Sequence, residues 1–126
     1  MDRDEREPGG TEENLTIRVD HCRAGVRVIH VGGRLDHRTA PDLQQLLDHQ
    51  LAAAPWGIVL DFSAVSVLEL GAAPTLVHIA NRAGEDDVGL CLVIADSAVL
   101  RVLTAADILE LFEIFPTIAA ALRTLC

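Results

Sequence analysis

Residues Ile58 to Ala83 read IVLDFSAVSVLELGAAPTLVHIANRA, and this stretch sets the fold class. Ile58–Phe62 is a short apolar run, the pattern of a strand covered on both sides. Pro74 then marks the first turn of a helix, where no backbone N–H is needed. Leu76, Ile79, Ala80 and Ala83 recur at helical spacing and are expected to face inward. Thr75, His78, Asn81 and Arg82 are expected to face outward. A strand, a loop and a helix in this order make one βα unit.

Working upstream, Leu15, Ile17 and Val19 alternate with Thr16, Arg18 and Asp20, which predicts a half-buried strand. Gly25 turns the chain, and Val26–Val31 supplies a second strand of a hairpin. Gly32 and Gly33 weaken its end or let it bulge. Thr39 opens a helix, its hydroxyl placed to accept from the N–H of Asp42, with Pro41 in the first turn. Leu43, Leu46, Leu47 and Leu51 share its inner face, and Pro55 ends it.

Downstream, Gly84 and Glu85–Asp87 close the second helix, and Val88–Ala95 predicts another buried strand. Asp96 or Ser97 caps a third helix with Val99, Val102, Leu103 and Ala106 inward. Leu111–Ile114 is a brief strand, and Pro116 and Thr117 begin a last helix carrying Ile118, Ala121, Leu122 and Leu125. The order is β-β-α-β-α-β-α-β-α. It predicts an α/β fold: a mixed four- to five-stranded sheet, an N-terminal hairpin followed by βα units, with helices packed on it.

Composition narrows the chemistry. The chain has 126 residues, 50% apolar and 23% charged, enough for one domain with its own core. Aromatics are only 3%, so that core is aliphatic. All ten basic residues are Arg. Without Lys there is no Walker A phosphate loop, no Schiff base and no Ser-x-x-Lys nucleophile. A net charge of −9 repels phosphate backbones, so nucleic acid is not expected as a partner.

Residues 1–13 carry six acids and two Arg, with Pro8, Gly9 and Gly10 and no periodicity. They read as a disordered acidic tail ahead of a domain over residues 14–126. No apolar run is long enough to span a bilayer, so no membrane insertion and a cytoplasmic location are expected. Cys22, Cys91 and Cys126 are too scattered for a disulfide framework; Cys91 should be a buried small hydrophobe and Cys126 exposed. His21, His30, His37, His49 and His78 lie on separate elements without ligand spacing, so no metal is expected. No GxSxG or GxGxxG occurs, and Asp61 reads as a structural cap. Neither catalysis nor a cofactor is expected.

In open α/β sheets function gathers at the carboxyl ends of the strands. Three loops are expected to meet there: Asp36–Thr39, Val67–Pro74 and Asp96–Ser97.

These residues also carry a resemblance. GGRLDHRTAPDLQQLL (Gly32–Leu47) resembles the second strand, loop and first helix of the STAS family, and its LDHRTA is similar to the LDHHTA of sporulation-type anti-sigma factor antagonists. The Ile58–Ala83 stretch resembles the family's next strand, loop and helix. SAVLRVLTAADILELFEIFPTIAAAL resembles its third helix, last strand and final helix. The match runs from Leu15 to Leu125, and it implies the STAS fold and a binding module without catalysis.

Bacterial members of that family bind an anti-sigma factor that is also a serine kinase, and so release a sigma factor that controls transcription. The kinase phosphorylates a Ser in a D-S-S-G loop, and the added charge of about −1.5 to −2 breaks the complex. Aligned to that loop, Glu69 stands at the Asp, Leu70 at the first Ser, Gly71 at the phosphorylated Ser and Ala72 at the Gly. Gly71 has no hydroxyl, so the usual phosphosite is degenerate. Thr75 and Ser66 are the alternative acceptors nearby.

The resemblance implies a partner surface of Asp36, His37, Arg38, Thr39, Glu69, Leu70, Gly71, Ala72, Pro74, Thr75 and His78. The expected partner is an anti-sigma factor of the serine-kinase type. The alternatives are the ATPase subunit of a lipid-transport ABC system, and a role as a small-molecule or redox sensor using the crevice or Cys22. Dimerisation stays open at this stage.

Overall fold

The computed structural model describes residues 14–23 and 25–125. The acidic tail and Cys126 lie outside the described residues, as does the side chain of Cys22. The elements run β1 (Leu15–Arg23), β2 (Val26–Leu35), α1 (Ala40–Ala52), β3 (Gly57–Leu68), α2 (Ala73–Glu85), β4 (Gly89–Val93), α3 (Ser97–Ala105), β5 (Glu113–Phe115) and α4 (Ile118–Leu125). Short 3₁₀ turns at Leu70–Ala72 and Leu109–Leu111 precede α2 and β5. Five strands form one sheet in the order β1-β2-β3-β4-β5. β1 is antiparallel to β2, and every later pairing is parallel. The expected α/β fold with a mixed sheet is the observed one.

Strand pleating divides the core in two. Ile29, Leu60 and Leu92 point to the face covered by α1, α2 and α3, where they meet Leu43, Leu47, Leu76, Ile79, Val99 and Leu103. Their neighbours Val28, Val59 and Cys91 point to the other face, where Ala121, Ile118, Leu122 and Leu125 of α4 cover them. A strand buried on both sides must be apolar at successive positions, which is why β3 opens with an unbroken apolar run. Cys91 is fully buried, as expected. Burial, with the nearby charge of Glu113, pushes its thiol up to about 11, so it stays protonated and unreactive at neutral pH.

All five strands differ in a boundary from the sequence reading: β1 runs past Asp20 to Arg23, β2 runs past Val31 to Leu35, and three more follow. β3 continues past Phe62 to Leu68, because Val65 and Leu68 still bury inward while Ser63, Ala64 and Ser66 face out. The fourth strand is trimmed to Gly89–Val93, and the last shifts to Glu113–Phe115 because a 3₁₀ turn takes up Leu109–Leu111. Thr39 does not cap α1 with its hydroxyl. That hydroxyl accepts from the N–H of Asp36 at 3.0 Å and donates to the carbonyl of Arg34 at 2.9 Å. Asp96 caps α3 as expected, accepting from the N–H of Ala98 at 2.8 Å.

The glycine pair in β2 does produce an irregularity, with register shifts against β3 on either side of Gly32 and Gly33. Gly33 has φ +89°, and a Cβ there would lie 2.1 Å from the carbonyl oxygen of Asn14. Only glycine fits that position. Among the described residues no helix is long and apolar enough to cross a membrane.

Candidate functional site

The site lies where β2 and β3 overrun the rest of the sheet. Leu35 pairs with Leu68, whereas the last residue of β4, Val93, pairs with Asp61 seven positions earlier on β3. At about 3.3 Å per residue that is some 23 Å of additional strand. The loops after β2 and β3 are therefore adjacent, and the Asp96–Ser97 loop is left well behind. Among the described residues no hydrogen bond joins it to the other two. The expected three-loop convergence is corrected to two.

Asp36 organises the first loop. Its Oδ1 accepts from the N–H groups of Arg38 at 2.9 Å and Thr39 at 3.1 Å, and its Oδ2 accepts from Nε of Arg34 at 3.0 Å. Burial pushes the carboxyl up, but the Thr39 and Arg38 N–H groups, Arg34 and the charge of Arg38 outweigh it and hold the pKa at about 2. The same Arg34 guanidinium donates from Nη2 to Glu69 of the second loop. The N–H of Glu69 also donates to the carbonyl of Leu35 at 3.0 Å. One arginine fork thus ties two loops together, a geometry Lys could not reproduce. Arg34 was not among the residues the sequence suggested. Its only signal was its place two residues before Asp36, and its tie to Glu69 depends on strand pairing.

The second loop packs directly on the first. A Cβ at Gly71 would sit 3.0 Å from Cβ of His37, tighter than ordinary contact, so the glycine permits the approach. Leu70 beside it is 58% exposed. His37, Arg38 and Pro74 are exposed as well, and Glu69, Thr39 and His78 are partly so. His78 Nε2 lies 2.9 Å from Oδ1 of Asp48 on α1, and Arg82 reaches the same oxygen at 3.1 Å.

Three candidates turn out to be interior. Asp36 is 2% exposed and shapes the loop from below. Ala72 is 0% exposed and presents nothing to a partner. Thr75, expected on the outer face of α2, is 8% exposed, and its hydroxyl donates to Oε1 of Gln44 at 3.2 Å. Helix α1 covers it, which the periodicity of α2 alone could not reveal. Ser66 remains exposed on β3, donating to the carbonyl of Gly33 at 3.1 Å.

A second polar group crosses the sheet near β1. His30 of β2 has Nδ1 2.9 Å from Oδ2 of Asp61 and Nε2 3.0 Å from Oδ2 of Asp20. Asp61 also accepts from the hydroxyl and N–H of Ser63 at 2.6 and 3.0 Å. Burial raises its pKa, but Ser63 and His30 lower it more, leaving it below the usual carboxylate value. Asp61 is therefore a structural cap as expected, with an unforeseen partner in His30. Among the described residues no cluster of His, Cys, Asp and Glu could hold a metal.

Residues 19–121, most of this two-loop sheet, match the STAS domain. The chain belongs to the STAS domain family. The chain is similar to an anti-sigma factor antagonist from Mycobacterium paratuberculosis, with 28% identity over 90% of this chain and 95% of that one, and a TM-score of 0.81. The unphosphorylated anti-sigma factor antagonist SpoIIAA shares the fold at 14% identity, covering 86% of this chain and 96% of its own, with a TM-score of 0.72. So does part of a murine anion transporter of solute carrier family 26, at 15% identity over 90% of this chain and 22% of that one, TM-score 0.70. No match is found among curated protein sequences.

Proposed function

We propose that this STAS domain is a non-catalytic anti-sigma factor antagonist that docks on a serine-kinase-type anti-sigma factor and cannot be switched off at the usual loop position. The observation that carries this reading is the paired-loop surface, with Gly71 pressed against His37 and Leu70 standing out beside it. The 28% identity to an anti-sigma factor antagonist over nearly the whole chain supports the class of partner.

The surface suits docking in physical terms. Leu70 is an apolar knob whose full burial would contribute about 1.5–3 kcal/mol. His37 packs against the neighbouring Gly71, and the Arg34 bridge between Asp36 and Glu69 keeps both loops in place before binding, which reduces the ordering cost. Phosphoryl transfer needs a hydroxyl, and position 71 supplies none. Thr75 is buried and hydrogen-bonded, so Ser66 is the exposed hydroxyl that remains near the site.

Capture from the native host tests this reading, with wild type, Gly71→Ala and Gly71→Asp as parallel baits. Wild type should retain a protein with a serine-kinase ATP lid. Gly71→Ala should weaken capture modestly, since its Cβ crowds His37, and Gly71→Asp should abolish it. Undiminished capture by Gly71→Asp would place Gly71 outside the interface. Recovery of an ABC ATPase would favour that partner class over a sigma-factor pathway. After incubation of the complex with ATP, peptide mass mapping should show no phosphate on residues 69–74; phosphate on Ser66 would mean that the switch had moved.

A further inference from the structure

Strand β1 forms one edge of the sheet, and among the described residues no strand lies on its outer side. A nine-residue edge usually carries Pro, Lys or a marked bulge that discourages pairing with another chain. Leu15–Arg23 has no Pro, its charges are of both signs (Arg18, Asp20 and Arg23), and its one irregularity lies at its end, between His21 and Arg23. Its hydrogen-bonding parity follows from the ladder with β2. Arg34 donates to the carbonyl of Asn14, so residues 14, 16, 18 and 20 form the bonded pairs with β2. The N–H and C=O groups of Leu15, Ile17, Val19 and His21 then point outward.

We propose that this edge pairs with β1 of a second copy, antiparallel about a two-fold axis at Val19, to give one continuous ten-stranded sheet. This inference stands independently of the proposed function, since it uses the free edge of β1 and a different set of residues.

Register is what singles out the occupant. Centring on Val19 sets Ile17 against the second copy's His21 and Val19 against its counterpart, so outward donors meet outward acceptors on odd-numbered residues. Between these bonded pairs, Arg18 falls opposite Asp20 of the second copy, twice by symmetry. Side chains approach most closely at such non-bonded positions. Within one copy Arg18 and Asp20 already meet at 3.4 Å and Asp20 also meets His30 at 3.0 Å, but with side chains 69% and 50% exposed both keep a flank open to a second copy. Moving the axis to residue 18 would oppose two arginines, and moving it to residue 20 would oppose two aspartates. Axes midway between residues would pair odd with even positions and leave donors without acceptors. Of the axes at residues 18, 19 and 20, the one at Val19 alone sets opposite charges against each other, twice by symmetry, as suits an isologous contact. The pairing also covers the outer flanks of Ile17 and Val19, which are only partly buried in one copy.

Sedimentation of the full chain over a concentration series tests the proposal. Wild type should show a monomer–dimer equilibrium. Arg18→Asp should raise the dimer dissociation constant about ten-fold or more. The charge swap Arg18→Asp with Asp20→Arg should restore it, since each pair then reforms with reversed polarity. Val19→Pro removes a donor at the axis that β2 does not use, so it should abolish the dimer while leaving far-UV circular dichroism unchanged. A wild type that stays monomeric at millimolar concentration would overturn the proposal. So would a dimer indifferent to Arg18→Asp, or one that the charge swap fails to rescue in a folded variant.

Discussion

Two side chains four residues apart on β2 each bridge a pair of carboxylates, and they do so differently. Arg34 joins Asp36 to Glu69 at the end of the sheet, where two loops must be held side by side. His30 joins Asp20 to Asp61 across the strands, where the hydrogen-bonded ladder already fixes their positions. The guanidinium is charged at every accessible pH and its fork is rigid. The imidazole offers one ring nitrogen to each carboxylate. The bridge that positions irregular backbone uses a rigid multi-donor fork, whereas the one laid over a regular sheet uses a two-nitrogen ring.

The largest effect expected from this contrast is that of Arg34→Ala. It removes the tie between the loops and deprives Asp36 of a partner, which should cost about 1–3 kcal/mol in urea unfolding. Amide exchange of Arg38, Thr39 and Glu69 should accelerate, and capture of the proposed partner should weaken with it. His30→Leu should cost less, about 1 kcal/mol at neutral pH, because Ser63 continues to satisfy Asp61 and half-exposed Asp20 hydrates. Its amide-exchange effect should stay within β1–β3 and leave the loops unchanged. Equal loop exchange in the two variants would erase the distinction between the bridges.

Acid supplies a third comparison, confined to low pH. The Asp36 pKa falls from 3.8 to about 2 on folding, so the stability it contributes is present above the ordinary value and lost as pH falls through about 2. The urea midpoints of wild type and Asp36→Asn should differ at pH 5 and converge between about pH 4 and pH 2. Arg34→Lys should be the mildest change, below about 1 kcal/mol, keeping the charge while losing simultaneous reach to both carboxylates. If Arg34→Lys matched Arg34→Ala, the fork and not the charge would be the element that matters.

Element order and the two-sided core were legible because apolar spacing reports burial residue by residue. Leu43, Leu47, Leu76 and Ile79 all face where the periodicity puts them. The far half of β3 was hidden because Ser63, Ala64 and Ser66 face out and dilute the apolar pattern. The loops around His37 and Gly71 could be found from sequence, through their resemblance to a family. What holds them together could not be found that way. Arg34 to Glu69, His30 to Asp61 and Thr75 to Gln44 are each more than thirty residues apart, and they meet only through strand register or helix packing. Single-chain periodicity carries no information on either.

The chain has one tryptophan and no tyrosine, and Trp56 is 62% exposed just ahead of β3, at the opposite end of that strand from Gly71. Its indole already sits in water when the protein is folded. Emission excited at 295 nm should therefore shift little on denaturation, and the protein's own fluorescence would be a poor gauge of its unfolding. The same placement makes Trp56 a built-in reference lamp. A partner seated on Leu70 should leave it undisturbed, so any quenching seen during a titration would signal contact at the far end of the molecule.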